Sequence, residues 1–231
     1  CGNCASVCEN NAIFPVDALV AFCAGFAKRF PDVALTVRTE TLSAVSALVN
    51  NDTVDVGVIG PAADASGLEK KHLATVRMVP VVSAKHPLAR LRRTVSTTTL
   101  AQYVQIVLAE RGDAGVPDQG VLSSKTWRVV DLATKHAMLL AGLGFGNLPE
   151  PAVARDLRAG RLVRIRPDAW GPDEHVLSLA AVWRPSTTLG PAARFSVDEL
   201  GALCRDRTDP RVALGSAPRR TRWRRRRGTV R

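Results

Sequence analysis

The 231-residue chain has no run of about 18 or more uncharged apolar residues, the minimum for a helix that crosses a hydrocarbon core. Its first stretch, Cys1 to Asn11, has neither a basic start nor an apolar signal core, so the chain is read as soluble and cytoplasmic, with no membrane contact. Five cysteines are too few and too unevenly placed to staple a domain of this size. Cys1, Cys4 and Cys8 form a CxxCxxxC trio that lacks a fourth ligand, because Cys23 falls in a predicted helix; no metal is expected. Cys23 and Cys204 read as small buried hydrophobes. Catalytic signatures are missing too: there is no GxSxG, HExxH or Walker loop. The four histidines, His72, His86, His136 and His175, are scattered, with His86 read as a surface turn residue and His136 as part of a helix. The run Gly142 to Asn147 fails the dinucleotide pattern, since Asn147 stands where GxGxxG needs glycine and the run follows a helix instead of opening one. Asp131 and Glu150, the one imaginable acid/base pair, both stand at helix starts and read as caps. Neither an enzyme nor a cofactor is expected.

What is present begins with enough apolar content, 46%, for a real core in one large or two small domains. The net charge of +11 suggests nucleic acid until it is divided along the chain. Residues 205–231 hold eleven of the 32 basic side chains, all Arg, against Asp206 and Asp209; the remaining 21 basic groups face 19 acidic ones. The body is therefore nearly neutral. The segment from Ala217 to Arg231 has too little apolar content to bury and too much self-repulsion to fold alone, so 205–231 is expected to be a disordered tail. Such a tail can bind phosphates by counterion release, with Trp223 available to stack on bases.

The pattern of elements is regular, without an internal repeat of fixed period. A short strand is expected at Ala5–Cys8, a helix at Val16–Arg29 stopped by Pro31, a strand at Val33–Arg38 and a helix at Leu42–Val49. Val54–Ile59 is a near-continuous apolar run of the kind buried on both faces of a parallel sheet. A loop from Gly60 to Lys71 leads to a strand at Val76–Ser83 and a turn at His86–Ala89. A second series follows: a helix near Thr98–Tyr103, a strand at Gln105–Leu108, a loop at Arg111–Gly120 and a strand at Thr126–Val130. Asp131 caps a helix over Leu132–Ala141 that stops at Gly142. A strand at Gly144–Leu148, a helix starting at Pro151 and ending at Gly160, strands at Leu162–Ile165 and Val176–Trp183, and a closing helix over Leu189–Cys204 complete the chain.

Five phrases, in order and spacing, carry a family resemblance: Phe22 to Val37, Leu48 to Gly60, Val81 to Ala89, Ala141 to Glu150 and Leu157 to Ile165. The chain resembles the effector-binding domain of LysR-type transcriptional regulators. The resemblance implies an α/β fold of two Rossmann-like subdomains joined by two crossing hinge strands, arranged like a type 2 periplasmic binding protein. Val76–Ser83 and Val176–Trp183 would be the hinge, with one subdomain at about 4–80 and 181–204 and the other at about 81–180. It also implies a small-molecule effector, a homodimer or homotetramer, and promoter DNA reached only through an upstream winged helix-turn-helix that these residues do not contain. The Cys-rich start and the Arg-rich tail depart from the family pattern.

In open α/β sheets ligands sit beyond the carboxyl ends of the strands, where helix N-termini present unpaired N–H groups. On the first side the candidate lining is Asn11 and Ile13 after strand one and Thr39, Thr41, Leu42 and Ser43 after strand two. On the second it is Arg111 and Asp131. The hydroxyls of Thr39, Thr41 and Ser43 near a helix start suit a carboxylate, or simply cap that helix, and Arg111 suits an anion. A ligand held between two subdomains favours one hinge angle over another. Two other classes remain open: a free-standing solute-binding protein of the same fold, and a nucleic-acid binder acting through the Arg tail.

Overall fold

A computed structural model describes residues 4–10, 16–40, 44–61, 63–91, 93–109, 120–171, 175–186 and 188–208. The first series of elements is β1 (Cys4–Asn10), α1 (Val16–Arg29), β2 (Ala34–Glu40), α2 (Ala44–Asn50), β3 (Val56–Ile59) and the long β4 (Glu69–Ser83). The second is α3 (Thr97–Leu100), β5 (Gln105–Leu108), β6 (Thr126–Val129), α4 (Leu132–Leu140), β7 (Phe145–Pro149), α5 (Glu150–Arg158) and β8 (Leu162–Arg164). β9 (Val176–Trp183) and α6 (Pro191–Thr208) close the chain.

The strands join in the order β2-β1-β3-β9-β4-β7-β5-β6, with β8 also paired to β4. β4 is the crossing strand. Glu69 to Arg77 pair antiparallel with β9, whereas Met78 to Ser83 pair with β7 and β8. Each half is a parallel set, β2-β1-β3 on one side and β7-β5-β6 on the other, covered by helices on both faces.

Burial explains the layering. β3, VGVI, is buried at all four positions. Its Val56 and Val58 meet Phe22 and Phe26 of α1 and Val197 and Leu200 of α6, while Ile59 meets Val45 and Val49 of α2. Burying each such phenylalanine contributes roughly 1.5–3 kcal/mol. Gly57 is required by the α2 side: a Cβ there would lie 2.7 Å from Val45 Cγ1 and 2.9 Å from Val49 Cγ2. In the second half Val79 and Val81 face α4 and α5, and Val82 faces the opposite core of Leu88, Leu100 and Phe145.

Several boundaries differ from the sequence reading for physical reasons. β4 starts at Glu69, inside the expected loop, because its first four residues are exposed and its polar EKKH start shows no apolar signal. α6 runs past Cys204 to Thr208, so the first four residues assigned to the tail belong to a helix; residues 209–231 lie outside the described residues. His86 is buried instead of on the surface. Its Nδ1 accepts from Leu88 N at 3.2 Å, its ring lies edge-on to Tyr103, and burial pushes its pKa down. Glu150 occupies the first turn of α5 but does not cap it; its carboxylate pairs with Arg77 of β4 and Arg164 of β8. Asp131 does cap α4, accepting from Thr134 N at 2.7 Å, and Gly142 (φ +79°) and Gly160 (φ +66°) are left-handed stops after α4 and α5.

Candidate functional site

The strand directions place a cleft. β3 is antiparallel to β9, and β9 to β4, so β1, β2 and β3 run with β4 toward the second half. β7 is antiparallel to β4, so β5, β6 and β7 run back toward the first half. The carboxyl ends of both parallel sets therefore point at each other. Ile59, the end of β3, is level with Ala180 and hence with His72 of β4, whereas Pro149, the end of β7, is level with Met78. Six residues of strand separate the two rims, roughly 20 Å at about 3.3 Å per residue.

Within each set the chain reverses its direction of travel. It goes outward from β1 to β2 and returns across β1 to β3; it goes outward from β5 to β6 and returns through α4 to β7. The two reversal points, β1/β3 and β5/β7, are where ligands bind in open α/β sheets.

Two of the expected site residues can be placed. Thr39 is exposed near the end of β2, opposite Glu9 of β1, and Asp131 follows the end of β6 as the α4 cap. Asn11, Ile13, Thr41, Leu42, Ser43 and Arg111 lie outside the described residues.

The sequence reading missed Lys135 and Asn147. Lys135 is 4% exposed in the second turn of α4, on the face shared with Leu139, and its Nζ donates to Asn147 Oδ1 at 3.1 Å. Burial lowers its amine from an ordinary 10.5 to about 8. Gly146 leaves room for the lysine stem, since a Cβ there would lie 3.2 Å from Lys135 Cε and 2.8 Å from Ile106 O. A Cβ at Gly144 would lie 2.3 Å from Val104 O. Gly144 and Gly146 of the GLGFGN run thus serve close approach of β7 to β5 and to Lys135. The available signal was a charged residue three positions after Leu132 and four before Leu139, on a helical apolar face.

Gln105, at the start of β5, fixes the return of the chain after residues 110–119. Its Nε2 donates to Gly120 O at 2.7 Å, and its Oε1 accepts from Leu122 N at 2.6 Å and Ser123 N at 3.0 Å. Among the described residues no cluster of His, Cys, Asp or Glu suits a metal, and no helix is long and apolar enough to cross a membrane.

Two facing Rossmann-like lobes on a shared crossing strand define a ligand-binding domain of the type 2 periplasmic-binding-protein kind. A family model described as "LysR substrate binding domain" matches residues 12–205, and the chain belongs to that family. Among curated proteins it is 26% identical over 174 residues to the probable HTH-type transcriptional regulator YhaJ of Escherichia coli, covering 73% of this chain and 56% of that one. It is 24% identical over 168 residues to the HTH-type transcriptional activator AllS of Klebsiella pneumoniae, covering 68% and 60%. The chain thus spans little more than half the length of these relatives. Among solved structures, the reduced regulatory domain of OxyR2 from Vibrio vulnificus superposes with a TM-score of 0.66 at 18% identity, covering 87% of this chain and 95% of that one. The CrgA regulatory domain of Neisseria meningitidis superposes with a TM-score of 0.65 at 22% identity, covering 87% and 98%. These likenesses agree in fold: a LysR-type regulatory, effector-binding domain whose named relatives are transcriptional regulators.

Proposed function

We propose that this domain senses a small anionic effector held in the cleft between a first subdomain at about 4–80 and 181–204 and a second at about 81–180. The observation that carries this reading is the opposition of two strand-reversal points, β1/β3 and β5/β7, across one crossing strand. A ligand touching both rims favours one angle at β4 and β9 over others, and so shifts the population of hinge states. Paired copies of the domain then present a changed geometry to DNA-binding heads carried elsewhere in the full-length protein, in the cytoplasm of a bacterium. The likeness to regulators favours this over a free-standing solute-binding protein of the same fold.

On the first rim the segment 41–43 joins β2 to α2, so Thr39, Thr41, Leu42 and Ser43 are proposed to receive one end of the effector, with Asn11 and Ile13 beside them. Arg111 and Asp131 belong to the second rim. Asp131 is the weaker of the two for an anion, because its own carboxylate already occupies the α4 N-terminus. The test is sedimentation and small-angle scattering of the chain with and without a bound effector, together with the effector affinities of Thr41→Ala and Ser43→Ala. The reading expects a change in assembly size or shape on binding and a weaker affinity in at least one variant. Identical scattering with saturating ligand would refute the geometric switch, and unchanged affinity in both variants would remove those hydroxyls from the site.

A further inference from the structure

Lys135 is a charged side chain at a place the fold gives to ligands, and nothing else described in the molecule uses it. Its stem lies on the α4 face of β7, beside Gly146 and Leu139. Asn147, one residue on, alternates to the other face of the strand, where Gly120 lies between it and Trp170: a Cβ at Gly120 would lie 3.6 Å from both Asn147 Nδ2 and Trp170 Cζ2. The amine meets Asn147 two residues beyond Phe145, whose pairing with Gln105 is the β5–β7 ladder. β5 and β7 flank the strand-reversal point of the second half, and Asn147 lies two residues before the carboxyl end of β7.

An ammonium brings three donors, and Asn147 Oδ1 is the one partner of Lys135 among the described residues. The described carboxylates of the surrounding elements are engaged elsewhere. Asp131 caps α4; Asp156 accepts from His136 Nε2 at 2.8 Å and Arg161 Nε at 2.6 Å; Glu150 pairs with Arg77 and Arg164; Asp168 accepts from Thr97 N at 3.0 Å. A buried charge with one neutral partner is costly, and an incoming anion removes that cost.

We propose that Lys135, positioned by Asn147, is the counter-ion for an oxyanion group of the effector, a carboxylate or an inorganic-type oxyanion, on the second rim of the cleft. This rests on the cleft reading above and names the residue that reads the charge. It also explains the otherwise wasteful choice of lysine on an apolar helix face: the position is destabilising when empty and complementary when filled.

The experiment is thermal unfolding of the full chain, of Lys135→Met and of Lys135→Gln, at constant ionic strength. The probes are sodium sulfate, sodium succinate and sodium benzoate, with succinamide and benzamide as neutral counterparts. Lys135→Gln keeps a donor toward Asn147, so it reports on charge even where Lys135→Met perturbs packing. The expected result is a raised wild-type midpoint with at least one oxyanion and at least a tenfold loss of affinity in both variants. A response to sulfate alone assigns the site to inorganic oxyanions, and a response to a carboxylate alone assigns it to organic acids. Undiminished oxyanion binding by both variants overturns the role of Lys135 while leaving the cleft reading intact. Binding of the amides but of no oxyanion overturns the charge reading alone. If Glu110, Asp113 or Asp118 supplied the counter-ion, no oxyanion would shift the wild type and the proposal would fall. Silence with every probe, charged and neutral, removes support from both readings together.

Discussion

Replacing Lys135 by Met should stabilise the empty domain at neutral pH. Burial holds the amine at about 8 against an ordinary 10.5. At about 1.36 kcal/mol for each tenfold change in proton affinity, that difference costs the folded state about 3 kcal/mol wherever both folded and unfolded chains are protonated. Methionine fits the volume beside Leu139 and Gly146 but leaves Asn147 Oδ1 without its donor, a loss of about 1 kcal/mol. The net expectation is a gain of about 2 kcal/mol at pH 7. The sign follows from proton counting. Between pH 8 and 10.5 the unfolded lysine keeps a proton that the folded one has released, so wild-type stability rises with pH through that window. The Met variant lacks this rise, so its advantage shrinks, is gone near pH 10, and gives way to a deficit of up to about 1 kcal/mol above pH 10.5. Urea unfolding of both proteins at pH 7 and pH 10 measures it. A Met variant that is less stable at pH 7, with the same pH dependence as wild type, would refute the reasoning, because Lys135 would then be fully satisfied in the folded chain.

Gly57→Ala should destabilise by roughly 1–3 kcal/mol, since its Cβ collides with Val45 and Val49 from a strand buried at every position; a denaturant midpoint checks it, and an unchanged value would mean that α2 moves freely. Ser46→Ala should be neutral or stabilising by up to about 1 kcal/mol, because Ser46 Oγ is buried without a partner among the described residues; a large loss by the same assay would show that its hydroxyl is hydrogen-bonded. Removing residues 209–231, which keeps α6 whole, should abolish any salt-sensitive binding of this chain to duplex DNA, while leaving its unfolding midpoint within error. Binding that survives the truncation would place a nucleic-acid surface on the folded body.

Most of the architecture was legible because the periods are clean. The helix at Val16–Arg29 and the strands at Gln105–Leu108 and Val176–Trp183 fall where their apolar spacing puts them, and Asp131, Gly142 and Gly160 punctuate as their chemistry requires. Less legible were features whose cause is tertiary. Glu69–His72 extend β4 because β9 supplies a partner strand, which no local pattern of charged residues announces. His86 is buried with its ring edge-on to Tyr103, a contact that the residues around position 86 do not announce. Glu150 looked like a cap because it opens a helix, but Arg77 and Arg164 reach it from two strands distant in sequence.

The candidate site was legible in outline and not in detail. Alternating strands and helices imply a cleft at the carboxyl ends of the strands, and the reversal points locate it, yet residue choice rested on loops next to those ends. Lys135 escaped notice because a lysine in a helix is ordinarily solvated. Its burial depends on Gly146 lying opposite and on β7 returning beside β5. The GLGFGN run leads from α4 into β7, and its glycines serve a close approach that only the packed sheet reveals.

The central claim is that this domain binds a small effector, and thermal unfolding of the full chain against small carboxylates, amino acids and aromatic acids tests it most directly. A binder present at 100 times its dissociation constant adds about 2.7 kcal/mol, or a rise of roughly 5–10 °C in the midpoint for a domain of this size. The account predicts such a rise with at least one anionic compound. A cooperative transition whose midpoint no member of the panel moves would contradict it.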